Sequence, residues 1–437
     1  MTNCTLPGLS FPSVKRRKVQ ADFSGGHITG DGGVLLLRQA DRLSGLTKAV
    51  GKVLTDNREP GRVRHSLVSM LRQRVYGLAL GYEDLNDHDA LRGDPALQTA
   101  VERDDDLASA PTLCRFENWA DRETAIKIQR VLVEQFITSF NKAPKRLILD
   151  FDASDDAVHG KQVGRFFHGY YDHYCFLPLY VFCGHQLLLA YLRPSNIDGA
   201  KHSWAILSLL VKRLRQAWPK VRIIFRGDSG FCRRQLLDWC DRNDVGYIVG
   251  LAKNNRLNKS AAAWLEQAKQ DFEQTQQKQR LFGEFQYAAK TWKNELRVIA
   301  RIEHMAKGAN PRYIVTNLQG DAKHLYEKVY CARGDMENRI KEQQLDLFAD
   351  RTSAHKWWAN QFRLLLASLA YTLLETIRRV GLRGTELATA QAGTIRLKLL
   401  KIGAVIAKNT RRLRLMLASS YPYQSLFRLA AVRLNPG

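Results

Sequence analysis

Residues 145–162 read KRLILDFDASDDAVHGKQ. An apolar run, Leu147 to Leu149, leads into Asp150, Asp152, Asp155 and Asp156. The run is short, β-rich and bounded by charge, which predicts a buried strand ending in acid. Side chains alternate along a strand, so Asp150 and Asp152 share one face and Leu149 and Phe151 the other. Two carboxylates side by side at the end of a buried strand repel each other unless a cation neutralises them.

Working outward, a second strand ends the same way. VRIIFRGDSGF (221–231) closes on Asp228, followed by turn-forming Ser229 and Gly230. In open sheets functional groups gather at strand ends, so Asp152 and Asp228 converge if these strands are neighbours. For either acid alone, a helix cap or a turn former is the plain alternative. The third element is YCARGDMENRIKE (330–342), in which Arg333 stands four positions before Glu337 and Lys341 four after. On a helix these three share a face, although a solvated charge ladder has the same spacing.

The 437-residue chain is long enough for two or three domains, and its 45% apolar and 25% charged residues are those of a globular protein. Its 67 Lys and Arg exceed its 43 Asp and Glu, for a formal net charge of +24, which implies a polyanionic partner. A membrane span over 174–192 is the weaker reading of YCFLPLYVFCGHQLLLAYL, because CGHQ (183–186) sits at its centre and both halves are β-rich. A buried hairpin is expected there. Met1 to Gly8 lacks the apolar core of a secretory leader. The seven cysteines include no C-x-x-C pair, so neither a zinc ribbon nor a disulfide framework is expected, and free thiols in a reducing cytoplasm are.

Five regions follow from the pattern. Residues 1–140 read as a helical, basic, DNA-binding region. It carries KRRK (15–18), a glycine-rich turn at 25–33 before a helix from Val34, and a helix from His65 to Gly81 with Leu67, Leu71, Val75 and Leu78 on one stripe. Arg72 and Arg74 lie off that stripe, and Thr112 is a plausible N-cap for the next helix. The glycines match no standard phosphate-loop pattern. Residues 141–254 alternate strands and helices, as the first part of a mixed sheet covered by helices. Residues 255–310 read as a β-rich insertion, and 311–380 as the second part of the core, from strand RYIVTNL (312–318) through the glutamate helix to a long helix near 353–380. Residues 381–437 read as a basic helical C-terminal region.

These residues carry a resemblance. The chain resembles the DDE transposases of bacterial insertion sequences, in the branch with an RNase H-like catalytic core. That branch has a Tyr-x2-Arg-x3-Glu pattern, matched in spacing by Tyr330, Arg333 and Glu337. It sets its first acid in a strand followed by a small hydroxyl residue, as in Asp152-Ala153-Ser154, and its second at the end of a later strand, as in RGDSGF. FSGGHITGDGG (23–33), FFHGYYDHYCFLPLYVF (166–182) and DRTSAHKWWANQFRLLL (350–366) extend the likeness over nearly the whole chain. The interval of 109 positions from Asp228 to Glu337 leaves room for the family's insertion.

The resemblance implies catalytic acids Asp152, Asp228 and Glu337, and two Mg²⁺ ions per active site, with Mn²⁺ able to substitute. Asp150 is a further metal ligand, and either Asp150 or Asp152 fits the first acid. Tyr330, Arg333, Arg339 and Lys341 are then DNA-binding residues. The broader pattern expects Lys seven positions after the glutamate, where this chain has Gln344. The implied partners are double-stranded DNA, as terminal inverted repeats and target, and a second copy of the chain on that DNA. The implied reaction is metal-dependent cleavage of element ends and transfer of the 3′-hydroxyl strand, in a cytoplasmic, nucleoid-associated protein without a membrane anchor. Two alternatives stand beside it. One is a haloacid-dehalogenase-like phosphatase using Asp150 as nucleophile and Asp152 as general acid. The other is a DNA-binding protein without catalysis. An EF-hand at DFDASDD is excluded, because Asp155 stands where Gly is needed and Lys161 where Glu is needed.

Overall fold

The computed structural model describes residues 8–289 and 292–435, which divide into two compact units. One comprises residues 46–57 and 115–375, and the other the remaining described residues.

The first unit is built on an eight-stranded mixed sheet. Its chain runs β1 (Arg146–Ala153), β2 (Asp156–Ala157), β3 (Phe166–His168), β4 (His173–Phe176), β5 (Leu179–Cys183), β6 (Gln186–Tyr191), β7 (Arg222–Gly227), β8 (Gly246–Leu251), β9 (Gln279–Tyr287), β10 (Leu296–Met305) and β11 (Gly308–Thr316). The large sheet has the order β9-β10-β11-β8-β7-β1-β5-β6, while β2, β4 and β3 form a separate small sheet. Strands β1, β7 and β8 are parallel to one another, and β5 and β6 return antiparallel at one edge. This is the mixed α/β arrangement, a sheet covered by helices, that the sequence predicts.

Alternation along the strands decides what each face holds. Leu147, Leu149, Phe151, Ile223 and Phe225 point into one apolar cluster. That cluster is completed by helices α1 (Arg122–Thr138), α2 (Ser203–Ala217), α3 (Arg234–Arg242) and α4 (Ala262–Thr275). Each large apolar side chain buried there contributes roughly 1.5–3 kcal/mol. Ile224, Ile248, Ile299 and Ile314 point the other way, against Leu325, Tyr326 and Val329. Asp150 and Asp152 have the parity of Ile148, on this second face.

The stretch expected as a hairpin around CGHQ forms β5 and β6, with Gly184 at φ 58° in the turn. Among the described residues no helix is long and apolar enough to cross a membrane. Between 255 and 316, β9, β10 and β11 continue the main sheet through β8. Helix α4 precedes them; its stripe Leu265, Ala268 and Phe272 is diluted by glutamines, which hid it in the sequence. After the glutamate comes α5 (Gly334–Lys341), and then α6 (Trp357–Thr376), whose Phe362, Leu366, Leu369 and Leu373 are buried as their spacing requires.

In the second unit the helix from Val34 starts where expected, but the glycines before it serve packing. A Cβ on Gly33 would lie 2.0 Å from the Leu399 carbonyl oxygen, so only glycine fits. The helix Leu67–Leu80 buries its leucine stripe and also Arg74, whose guanidinium meets His88. Arg72 pairs with Asp41 and Glu102, so these two arginines turn inward instead of forming an outer basic face. Thr112 falls inside the helix Ala110–Trp119 and not at its cap. Within the basic C-terminal stretch, Ala404–Lys408 and Leu413–Leu417 pair as a hairpin where leucine spacing suggested helix.

Candidate active site

Strand register gathers the acids. β1 and β7 pair in parallel, with Asp150 beside Arg226 and Phe151 beside Gly227, and Asp152 and Asp228 follow one step on. Asp150 and Arg226 are both buried and form a two-pronged ion pair, Nε to Oδ1 and Nη2 to Oδ2, the latter at 2.7 Å. Burial raises the Asp150 carboxyl above its usual range, against the pull of Arg226. The remaining Arg226 nitrogen, Nη1, donates to the Val329 carbonyl oxygen. One guanidinium therefore ties the first strand to the segment that leads to the glutamate.

That segment is irregular by design of its sequence. A π-turn spans Leu325–Tyr330, a 3₁₀ turn Cys331–Arg333, then α5, and a second π-turn Glu342–Asp346. Such widened turns re-aim side chains and are frequent at functional sites. Here Arg333 Nη2 donates to Glu337 Oε1 at 2.5 Å, while Nη1 lies 3.6 Å from Asp152 Oδ2. Tyr330 is packed over Gly250, where a Cβ would come within 2.7 Å of both the Tyr330 hydroxyl and the Ser229 amide nitrogen. Asp228 caps the short turn Ser229–Phe231, its Oδ1 accepting from the Gly230 N–H at 2.8 Å.

The electrostatics follow. Burial drives the Asp152 carboxyl up to about 7, with Asp228 and Glu337 adding to the rise and Arg333 opposing it. Burial works against the charge of Arg333, but Asp152 and Glu337 outweigh it and keep the guanidinium protonated. Burial also raises the Tyr330 hydroxyl, with Asp228 contributing. Beside Tyr330 lies a cleft of about 280 Å³ lined in part by Ser229, Gly250, Lys253, Arg312 and Tyr326.

Of the residues singled out in the sequence, Asp152, Asp228, Glu337, Arg333 and Tyr330 come together. Asp150 has its carboxylate committed to Arg226. Arg339 is buried, its Nη1 donating to Glu342 at 2.7 Å. Lys341 is exposed. Gln344, where the resemblance led us to expect lysine, turns inward: its Nε2 donates to the Asp155 carbonyl oxygen at 2.8 Å. Among the described residues, no three His, Cys, Asp or Glu side chains are grouped to hold a metal ion as they stand. The Arg333 guanidinium instead lies against two of the three acids.

Sequence reasoning missed four contributors. Arg226 stands two residues before Asp228 as Asp150 stands two before Asp152, a parallel visible in the sequence but meaningless without the register. Asp155 meets His173 Nε2 at 3.0 Å, and Tyr171 is pushed to about 12, by burial first and then by Asp155 and Asp152. His173 and Tyr171 belong to the aromatic run FFHGYYDHY (166–174), which enters the sequence reading only as part of the family likeness.

The transposase DDE domain group 1 family model matches residues 11–436. No curated protein matches the sequence. Among solved structures, a piggyBac transposase synaptic complex with hairpin DNA, determined by cryo-EM, is similar with a TM-score of 0.44 at 9% identity, covering 84% of this chain and 79% of that chain.

Proposed function

The chain belongs to the DDE transposase family and is a DNA transposase, and from that premise we propose that Asp152, Asp228 and Glu337 are its catalytic acids. The family generally uses divalent metal ions. The three carboxylates offer the hard oxygen donors that Mg²⁺ or Mn²⁺ takes, and a bound cation would offset the burial, and the lesser repulsion by Asp228 and Glu337, that lift Asp152 to about 7. When bound, two such ions would activate a water or a 3′-hydroxyl and stabilise the leaving oxygen of an in-line displacement.

The chain's own groups do the rest. Arg226 holds Asp150 and the Val329 carbonyl, and so fixes the distance between the first acid's strand and the glutamate segment. On that ground we give Asp150 an architectural role and Asp152 the chemical one. Arg333 balances Asp152 and Glu337 and is placed to meet a DNA phosphate at the same carboxylates. Tyr330 lines the adjoining cleft, and exposed Lys341 presents a second cation. We assign the substrate to double-stranded DNA, as the terminal repeats of a bacterial insertion sequence and its target, held by two copies of the chain. The excess of basic residues supports that assignment. The basic regions 1–140 and 381–437 would supply further phosphate contacts, and 255–310 the family's insertion.

The observation that carries this reading is the convergence of Asp152, Asp228 and Glu337 around Arg333. The phosphatase alternative needs Asp150 as a free nucleophile, and Arg226 occupies both of its oxygens. The test is incubation of the purified chain with a labelled duplex bearing the element's own terminal repeat, with Mg²⁺, Mn²⁺ or chelator. Cleavage at the repeat boundary should require metal and vanish in Asp228→Ala and Glu337→Ala. Binding without a metal-dependent cut would leave a non-catalytic DNA-binding protein.

A further inference from the structure

The β3–β4 hairpin carries a concentration of exposed aromatic side chains unlike the rest of the sheet. Tyr170 at its tip is 86% exposed, Phe167 53%, Tyr174 48% and Phe166 41%. Phe167 and Tyr174 meet edge to face at 5.7 Å, and the Arg165 guanidinium lies 4.4 Å over the Tyr174 ring. The base of the hairpin is anchored. β2 pairs with β4 through Asp156 and Phe176, Val158 N–H donates to the Tyr174 carbonyl oxygen at 2.9 Å, and Phe176 packs on Trp357. Among the described residues, Phe166, Phe167, Tyr170 and Tyr174 keep large parts of their rings uncovered. Four exposed rings in so short a segment mark an interaction surface rather than ordinary surface scatter.

Position says what the surface meets. The strand that bears Asp152 runs directly into β2, and β2 is the strand on which the hairpin is registered. Asp155, three residues beyond Asp152, contacts His173 of the hairpin itself at 3.0 Å. We propose that this hairpin is a stacking platform for unpaired bases of the DNA strand next to the cleaved phosphate. The proposal rests on the transposase reading and names a part of its substrate. Rings flanked by a guanidinium are what unpaired bases take up, since every base presents a π-face and stacking tolerates any sequence. An acidic peptide would want cations in place of the rings. Of the two acids near the turn, Asp155 is engaged by His173, and Asp172 sits in the turn at φ 58°.

The experiment compares a blunt duplex with the same duplex carrying a short single-stranded tail, by fluorescence anisotropy, with the full chain as wild type, Tyr170→Ala and Phe167→Ala/Tyr170→Ala. Both side chains are exposed, so far-UV circular dichroism should not change. Wild type should prefer the tailed duplex, and the double variant should lose roughly ten- to a hundredfold of tail binding while blunt-duplex affinity holds. A fluorescent base analogue in the tail should be quenched by wild type and released in the double variant. An unchanged preference in the double variant overturns the proposal. So does a change in sedimentation without a change in preference, which would make the face a protein contact. Wild-type protein that neither binds nor cuts either duplex refutes the transposase reading itself, an outcome distinct from both.

Discussion

Arg226→Leu is the perturbation that tests the architecture most sharply. Arg226 is buried, gives two hydrogen bonds to Asp150 and a third to the Val329 carbonyl oxygen. Leucine leaves the Asp150 carboxylate buried without a partner, a change that costs about 3–5 kcal/mol in comparable pairs. The orphaned carbonyl adds about 1–3 kcal/mol. Asp150 has a milder way out, since a carboxyl already raised by burial can take up a proton, so the loss should sit at the lower end and shrink in acid. The sign follows from a folded-state pKa raised further in the variant: the variant is penalised increasingly as pH climbs above the unfolded carboxyl's value near 3.8. Urea unfolding of both proteins at pH 7 and pH 5 measures this. The two units make a two-step transition a reasonable expectation, and the step to follow is that of the β-sheet unit. Asp150→Leu combined with Arg226→Leu should recover most of the loss, because an apolar pair replaces an ion pair at little cost. A single variant within about 0.5 kcal/mol of wild type, or a double variant no better than the single, would mean that Arg226 does not hold Asp150 and the Val329 carbonyl together.

Other consequences follow from the same geometry. Asp152, raised to about 7, must ionise to hold a cation, so Mn²⁺ affinity should climb as pH rises through that value and flatten above it; titration calorimetry across pH measures this, and Asp152→Asn should abolish it. Gln344→Ala removes one hydrogen bond to Asp155, worth about 0.5–1.5 kcal/mol in thermal or urea unfolding. Gly250→Ala drives a Cβ against the Tyr330 hydroxyl and the Ser229 amide, and should cost about 1–3 kcal/mol in urea unfolding and lower cleavage beyond its effect on folding.

The two acidic strand ends were legible because LILDFD and VRIIFRGD are each a short, β-rich apolar run that closes on an acid. The glutamate was legible only by its spacing from Tyr330 and Arg333, since the π-turns on either side of α5 leave no periodic signature. What escaped was everything that depends on register or on contacts distant in sequence. Asp150 and Asp152 look alike along the strand, and only the pairing of β1 with β7 gives one of them to Arg226. Arg74 reads as a surface residue until His88 is seen to receive it. The hairpin Ala404–Lys408 with Leu413–Leu417 carries leucines that suit either period, and pairing with Ile28–Thr29 decides for strand. The glycines at 32 and 33 carry no mark of the backbone they pack against.

We propose that Asp152, and not Asp150, joins Asp228 and Glu337 in holding divalent cations. The most direct test is Mn²⁺ binding to the full chain, followed by the electron paramagnetic resonance signal of free Mn²⁺, for wild type, Asp150→Asn, Asp152→Asn, Asp228→Asn and Glu337→Gln. The last three should bind Mn²⁺ at least about tenfold more weakly, while Asp150→Asn loses stability yet keeps its affinity once folded. Loss of binding in Asp150→Asn with Asp152→Asn unaffected would contradict the proposal.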